Sequence, residues 1–173
     1  NLRCRSCNIW RIYEHSPQLA DQEMRLEDYE LFFDNFNLWN WVSFTGGEPF
    51  LRKDLVDIVS AACERCRNLH TVSIPTNGYL TDKIVHDVQE MLSMTIPSFY
   101  VSVSLDGLQK VHDANRGIEG SFEHTVSTFN RLRKLRNRRF KVHFEYLLSK
   151  YLQGKLRELI RALNLRPKDF VIS

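Results

Sequence analysis

Long apolar runs are absent from this sequence of 173 residues. No stretch approaches the roughly 18 consecutive apolar residues that a membrane-spanning helix requires. Residues 1–20 are polar and charged, so they contain no signal peptide of the usual form. We therefore expect a protein without a membrane partner that resides in the cytoplasm.

A strong charge bias is also absent, because the formal net charge is only +3. This value does not by itself indicate binding to nucleic acid. Basic residues do cluster in RLRKLRNRR, residues 131–139, which could face an acidic substrate or RNA. The solvated face of an outer helix explains the same pattern. We favour that interpretation and predict no nucleic-acid partner.

Cysteine is scarce, and its four copies form two Cys-x-x-Cys pairs, Cys4/Cys7 and Cys63/Cys66. Disulfides in a secreted protein are one alternative. Metal or redox cysteines in a reducing compartment fit better with a chain this rich in regular structure. One pair is too small for zinc or for an iron–sulfur cluster, so zinc held by all four cysteines is an alternative. We expect instead that Cys63 and Cys66 pack as buried apolar residues at the far end of a helix.

The sequence does contain an alternation of strand-like and helix-like segments, which repeats about every 30 residues. Such a repeat indicates a parallel sheet with helical crossovers. The predicted strands cover residues 39–45, 71–74, 98–105, 140–148 and 170–172. The predicted helices cover residues 26–36, 53–67, 82–93, 122–136 and 154–163, and a loop follows the third strand.

The strands alternate polar and apolar residues, whereas parallel strands buried on both faces are continuously apolar. Between residues 100 and 106, for example, Ser102, Ser104 and Asp106 alternate with apolar side chains. An antiparallel sheet with one wet face would give the same pattern, but the intervening helices argue against it. We predict an α/β fold, a partial (β/α)6 barrel similar to a TIM barrel, with parallel strands, outer helices and a polar concave side.

Glycine and polar residues follow the apolar part of three strands, in TGGEP (45–49), PTNG (75–78) and SVSLDG (102–107). The carboxyl ends of parallel strands lie on one rim of the sheet, so these segments should meet. Gly46 and Gly47 allow a ligand to lie on the backbone. Glu48 offers a carboxylate for an ammonium group. Ordinary βα turns would have a similar composition, and spacing alone does not decide between the two interpretations.

Two further strand ends add groups that bind sugar hydroxyls or a ligand carboxylate. Thr76 and Ser104 supply hydroxyls, and Asp106 supplies a second carboxylate. Cys4 and Cys7 precede the first predicted helix, so we expect them in a loop after a strand upstream of Asn1. That loop would lie on the same rim as the glycines.

These segments together resemble the radical S-adenosylmethionine enzymes. NLRCRSC resembles the end of their Cys-x-x-x-Cys-x-x-Cys motif, TGGEPFLR resembles their GGE motif, and PTNG resembles their third strand end. SVSLDGLQKVHDANRGIEGSFEHT resembles the fourth-strand segment of the molybdenum-cofactor and peptide-modifying branches, which include proteins with a SPASM domain. The resemblance extends from Asn1 to about Thr125. It implies that residues 1–173 are part of one core domain, with the first cluster cysteine immediately before Asn1 and further sequence on both sides.

The resemblance implies a [4Fe-4S] cluster and S-adenosylmethionine as cofactors. Cys4 and Cys7 match the second and third cluster ligands. Reductive cleavage of S-adenosylmethionine would give methionine and a 5′-deoxyadenosyl radical, which abstracts a hydrogen from a substrate. The partners implied are a peptide, protein or small-molecule substrate and an electron donor. The alternative is a non-catalytic βα domain that binds zinc.

The resemblance also assigns roles at the rim. Ser6 stands where the family often has an aromatic residue that packs on adenine, and Ile9 or Trp10 could replace it. His143 and Glu145 face the predicted lumen and could contact substrate or adenosine, or form an interior pair. Gly46, Gly47 and Glu48 match binders of the methionine amino group, Thr76 and Ser104 match positions near the carboxylate and ribose, Asp106 assists them, and Arg116 of HDANRG is a candidate partner for the carboxylate.

Overall fold

The computed structural model of the protein describes residues 2–147 and 156–172. The strands are β1 (Trp41–Ser43), β2 (Thr71–Thr76), β3 (Ser98–Ser104), β4 (Phe140–Tyr146) and β5 (Phe170–Ile172). They form one parallel sheet in which the spatial order follows the chain order. The predicted α/β class with a parallel sheet is confirmed.

Helices connect the strands, as the βα repeat predicts. They are α1 (Ile9–His15), α2 (Leu26–Asn35), α3 (Leu55–Arg65), α4 (Thr81–Met91), α5 (Gln109–Arg116), α6 (Ser121–Leu132) and α7 (Leu156–Ala162). Short 3₁₀ helices cover Pro17–Gln22, Pro49–Leu51 and Pro167–Asp169. The predicted strand end at Leu148 and the predicted helix start at Gly154 lie outside the described residues. Within the described ranges, no helix has the length and apolar character to cross a membrane.

One face of the sheet is buried and the other is partly open. In β2 and β3, Val72, Ile74, Val101 and Val103 are buried in the main core, whereas the residues between them are half-buried. This alternation agrees with a sheet whose polar face is turned away from the core. The helices contribute further core side chains, including Leu55, Val59, Ile84, Val88, Phe129 and Leu132.

The segment after β3 contains helix α5, where the sequence predicted only a loop. The helix ends because Gly117 adopts a left-handed conformation with φ 74°, and its N–H donates to the Asp113 carbonyl at 2.8 Å. The Asp113 carboxylate then holds the start of α6 by accepting three hydrogen bonds. The donors are Gly120 N, Ser121 Oγ and Phe122 N. Desolvation alone would raise the pKa of Asp113, but these hydrogen bonds lower it below the usual value.

Two tryptophans lie in unexpected surroundings. Trp39 and Trp41 belong to the predicted strand of residues 39–45, yet they are 47% and 62% exposed. The Trp41 indole Nε1 donates to Ser73 Oγ on the neighbouring strand at 2.9 Å. β1 is also shorter than the predicted strand of residues 39–45, because only three of its residues pair with β2.

The basic segment 131–139 is partly structural rather than a uniform solvated face. Helix α6 ends at Leu132, before the predicted residue 136. Arg131 pairs with Asp82 of α4. Arg139 donates from Nη1 to the carbonyls of Met94 and Ile96 at 3.1 and 3.2 Å, and from Nη2 to Leu92 O at 3.4 Å. Arg139 therefore binds the carbonyl groups that follow the end of α4.

We expect Arg139→Ala to lower the free energy of unfolding by about 1–2 kcal/mol, because three carbonyl acceptors lose a charged donor. The neighbouring Arg138 is exposed and provides a matched control. Urea denaturation of both variants measures the difference. Equal stability of Arg138→Ala and Arg139→Ala would contradict the structural role of Arg139.

Candidate functional site

A cavity of about 840 Å³ lies at the carboxyl ends of β1, β2 and β3 and extends to the loop that contains the cysteines. The nine residues that the sequence assigned to cofactor or cluster binding all line it, although they come from separate segments of the chain. They are Cys4, Cys7, Gly46, Gly47, Glu48, Thr76, Ser104, Asp106 and Arg116. The structure thus brings the predicted rim together around one space, as expected for the strand ends of a parallel sheet.

Glu48 is a buried carboxylate, with 8% of its surface exposed. Oε1 accepts hydrogen bonds from Thr76 Oγ1 at 2.8 Å and from Phe50 N at 3.3 Å, and Oε2 accepts one from Asn77 N at 2.7 Å. Burial raises the pKa of Glu48, while these donors oppose the shift. Within the described residues its hydrogen-bond partners are all uncharged. A cationic ligand group would therefore supply a counter-charge for this carboxylate.

The two glycines before Glu48 leave their backbone open to the cavity. A Cβ atom built at Gly46 or Gly47 would meet no atom within 4 Å. Gly46 also has φ +147°, a backbone conformation that residues with side chains rarely adopt. Glycine is thus required at position 46 by conformation, and the space beside both residues can accommodate a ligand.

Thr76 mainly positions the Glu48 carboxylate, although it also lines the cavity. Its hydroxyl donates to Glu48 and accepts from Gly78 N at 3.1 Å, and the residue is 2% exposed. Ser104 and Glu145 pair in register on β3 and β4, and both line the cavity. His143 is not among the residues that line this cavity, and burial lowers its pKa below the usual value. Asn77 lines the cavity beside Thr76 and was not predicted, although it lies within the PTNG segment.

Asp106 and Arg116 form a bidentate ion pair at the cavity wall. Arg116 Nε donates to Oδ2 at 2.7 Å and Nη2 donates to Oδ1 at 2.9 Å. Asn115 Nδ2 also donates to Oδ2 at 2.7 Å. The two side chains are 3% and 13% exposed, so the charges largely compensate one another within the protein. Desolvation lowers the pKa of Arg116, but Asp106 and, to a lesser extent, Cys4 raise it, and the net shift is upward.

His112 connects this pair to the PTNG turn. Its ring is buried, with Nδ1 3.2 Å from Asp106 N and Nε2 3.3 Å from Thr125 Oγ1. Thr125 Oγ1 donates to Asn77 O at 2.8 Å. Burial and, to a lesser extent, the neighbouring Arg116 lower the pKa of His112 to about 4, while Asp106 and Asp113 oppose the shift. His112 is therefore a neutral acceptor at neutral pH. The HDANRG sequence contained it, but no local pattern distinguished it from a loop residue.

The loop before α1, which contains Cys4 and Cys7, closes one side of the cavity, and we call it the cysteine loop. Cys7 N donates to Cys4 O at 3.3 Å, and Trp10 Nε1 donates to the same carbonyl at 3.1 Å. Trp10, Ser6 and Ile9 also line the cavity. Burial raises the pKa of the Cys4 thiol, and the Arg116 guanidinium opposes this shift. The two thiols fit two of the three ligand positions in the expected cluster motif.

Cys63 and Cys66 lie elsewhere. Cys66 is buried with Phe33, Ala61 and Ala62, and Cys63 packs against the main core. Burial raises the pKa of Cys63 to about 11. Within residues 2–147 and 156–172, no three or more Cys, His, Asp or Glu side chains are grouped to hold a metal ion. The four cysteines therefore do not assemble the zinc site of the alternative interpretation.

The far side of the cavity carries residues that the sequence did not single out. Arg52 binds Asp54 through two nitrogens at 2.8 and 3.0 Å and also donates to Met24 O. Tyr13 donates to Glu23 at 2.7 Å. Tyr13 and Glu23 follow no strand end, so strand-based reasoning could not find them. Only Arg52 offered a signal, because it ends the TGGEPFLR segment.

Glycine, carboxylate and thiol groups surround one cavity at the strand ends of a parallel βα sheet. This arrangement is typical of ligand-binding α/β proteins. Residues 1–163 match the Radical SAM superfamily. The chain belongs to this superfamily, whose members are enzymes that use S-adenosylmethionine and a [4Fe-4S] cluster.

Individual relatives agree with this assignment. The chain is 31% identical over 126 residues to the Fe-coproporphyrin III synthase of Methanosarcina barkeri, covering 71% of this chain and 29% of that protein. It is 31% identical over 137 residues to the antilisterial bacteriocin subtilosin biosynthesis protein AlbA of Bacillus subtilis, covering 76% of this chain and 28% of that protein. The chain thus spans less than a third of these relatives.

The fold also matches a solved structure, native anSMEcpe with bound AdoMet and a Kp18Cys peptide. The TM-score is 0.70 and the sequence identity is 20%, over 99% of this chain and 47% of the other. The similarity shows that the two proteins share their fold, the partial barrel predicted from the sequence.

Proposed function

We propose that residues 1–173 form the core domain of a radical S-adenosylmethionine enzyme that reductively cleaves this cofactor and abstracts a hydrogen atom from a substrate. The observation that carries the proposal is the convergence of nine motif residues on one cavity. Superfamily membership supports the same chemistry.

The residues of the cavity divide the binding of the cofactors among them. Cys4 and Cys7 would each bind one iron of a [4Fe-4S] cluster, and the cysteine expected immediately before Asn1 would bind a third. Cluster and S-adenosylmethionine together supply one-electron reductive cleavage and a carbon radical. An electron donor is needed to reduce the cluster.

Glu48 and the backbone of Gly46 and Gly47 would bind the methionine amino group. The buried carboxylate has only uncharged hydrogen-bond partners among the described residues, and an ammonium group provides the charge that it lacks. Thr76 orients Glu48. Ser104 lies on the open face of β3, where it can reach the carboxylate or ribose.

Asp106 contributes to the same wall of the cavity but is already bound by Arg116. The resemblance offered Arg116 as a partner for the methionine carboxylate. Because two of its nitrogens bind Asp106, we assign it the positioning role argued in the next subsection.

The substrate class proposed is a peptide, a protein or a small molecule such as a cofactor precursor. One relative is named for bacteriocin biosynthesis and another for synthesis of Fe-coproporphyrin III. Glu145 and Leu147 line the cavity at the end of β4. We propose that substrate approaches the cofactor beside these two residues.

Replacement of Cys4 with alanine is expected to abolish formation of 5′-deoxyadenosine, because the cluster loses a ligand. The protein, preceded by the expected cysteine, is reconstituted anaerobically with iron and sulfide and incubated with S-adenosylmethionine and dithionite. Chromatography quantifies the product. Cys63→Ala is the matched control, since Cys63 packs in the core, and it should retain product formation. A wild-type protein that binds no iron–sulfur cluster and forms no product would contradict the proposed function.

A further inference from the structure

The cysteine loop is bound to the C-terminal end of α5. Arg3 N donates to Arg116 O at 3.2 Å, and Arg5 N donates to Asn115 O at 2.7 Å. The Asn115 side chain also contacts Ser6 Oγ at 3.2 Å. Carbonyl groups at the end of a helix have no partner within the helix, and here the N–H groups beside Cys4 satisfy two of them.

Gly117 makes this close approach sterically feasible. Its left-handed backbone ends α5, and a Cβ atom at this position would lie 2.9 Å from Arg3 O and 3.4 Å from Arg3 C. A contact of 2.9 Å to a backbone oxygen requires the cysteine loop to move. Gly120 has a similar conformation, with φ +81°, but the nearest atom to its built Cβ is Glu123 Oε2 at 4.0 Å. The two glycines thus share the same backbone requirement, and only Gly117 contacts the loop.

The side chain of Arg116 extends this connection to the sulfur. Its Nε and Nη2 are fixed by Asp106, which directs Nη1 toward Cys4 Sγ at 3.8 Å. A planar guanidinium held at two nitrogens has little freedom to reorient the third. The arrangement therefore runs from a strand end, through a buried ion pair, to a candidate cluster ligand.

We propose that the C-terminal end of α5, residues 115–117, is the surface that binds the cysteine loop, and we call this surface the seat. Arg116 is a positioning residue that directs an N–H group to the Cys4 sulfur. The inference rests on the proposed function, because it gives Cys4 its role as a ligand. The seat fixes the loop before any cofactor binds. Once a cluster is bound, a cationic donor at a ligand sulfur stabilises the reduced state and raises the reduction potential.

The first test uses the iron-free protein and measures the rate at which iodoacetamide alkylates Cys4, by mass spectrometry. Gly117→Ala should accelerate alkylation roughly tenfold, because two backbone hydrogen bonds that restrain the loop are lost. Gly120→Ala, which carries the same backbone strain without the clash, should leave the rate within about twofold of wild type. Gly117→Asn and Gly120→Asn repeat the comparison with a residue that tolerates the left-handed conformation. Equal rates in each pair would overturn the seat.

The second test measures the midpoint potential of the reconstituted cluster by redox titration with EPR detection. Asp106→Asn combined with Arg116→Met removes the ion pair without changing the net charge. We expect a more negative potential in this double variant, because the sulfur loses its donor. An unchanged potential would overturn the role of Arg116. A wild-type protein without a cluster would instead contradict the proposed function, while the alkylation result would still decide whether α5 seats the loop.

Discussion

Replacement of Asp106 with alanine is expected to lower the free energy of unfolding by about 3–5 kcal/mol, because it leaves a buried guanidinium without its counter-charge. The Arg116 side chain is 13% exposed and donates two hydrogen bonds to the Asp106 carboxylate. Asn115 and the Cys4 thiol also contact this pair, but neither carries a compensating negative charge when the thiol is protonated.

Two comparisons separate this electrostatic effect from general damage. The double variant Asp106→Ala/Arg116→Met removes both charges of this pair, so it should be more stable than Asp106→Ala alone. Asp82→Ala removes the partner of Arg131 at the surface, where the Asp82 side chain is 94% exposed, and should not change stability measurably. Urea denaturation at neutral pH measures all three. A double variant less stable than Asp106→Ala would contradict the explanation.

The strand ends of the site could be predicted from the sequence because their signals are local. Glycine and polar residues directly after an apolar alternating run mark the end of a strand, and parallel topology places such ends on one rim. Gly46, Glu48, Thr76, Ser104 and Asp106 were found in this way, and all line the cavity. The Cys-x-x-Cys spacing and the predicted loop before the first helix added Cys4, and the family motif added Arg116.

The contacts among these residues could not be predicted, because they depend on helix α5, which no pattern in the sequence predicts. Helix α5 contains His112, Asp113 and Asn115, residue types with modest helix propensity, so its segment resembles a loop. Its tertiary contacts include the hydrogen bonds of Asn115 and Arg116 with Asp106 and those of the N–H groups beside Cys4 with its last carbonyls. Because α5 was missed, the pairing of Arg116 with Asp106 was missed as well.

A similar limit applies to the exposed tryptophan of β1. Trp41 belongs to an alternating apolar segment, which favours a buried position. Whether such a face is covered depends on neighbouring segments and not on the strand itself. Burial of a strand residue is therefore a property of the whole sheet, whereas the end of a strand is encoded by a few adjacent residues.

Acidification from about pH 6.5 to about pH 4 is expected to lower the free energy of unfolding by about 3 kcal/mol through His112 alone. The pKa of this side chain falls from 6.5 to about 4 on folding, because burial disfavours the charged ring. Between these values the unfolded chain binds a proton that the folded protein does not. Stability is therefore complete above the upper value and is lost as pH falls toward the lower value.

Other titratable groups also change the free energy of unfolding in this pH range, and their contributions must be subtracted. His143 also has a lowered pKa and shifts stability in the same direction. Glu48 has a raised pKa, so its folded form retains a proton to higher pH and its contribution opposes that of the histidines. The comparison of wild type with His112→Gln removes these shared contributions.

His112→Gln should be less stable than wild type at neutral pH, because the contacts with Asp106 N and Thr125 are disturbed. It should nevertheless lose less stability on acidification, and the two stability curves should converge as pH approaches 4. His86→Gln, which replaces an exposed histidine on α4, is measured beside it as a control for the loss of one imidazole. Urea titrations at intervals between pH 4 and pH 7 give both slopes. Parallel curves for wild type and His112→Gln would show that His112 is protonated as readily in the folded protein as in the unfolded chain. That outcome would contradict the buried, neutral ring that accepts from Asp106 N and contacts Thr125 beside the PTNG turn.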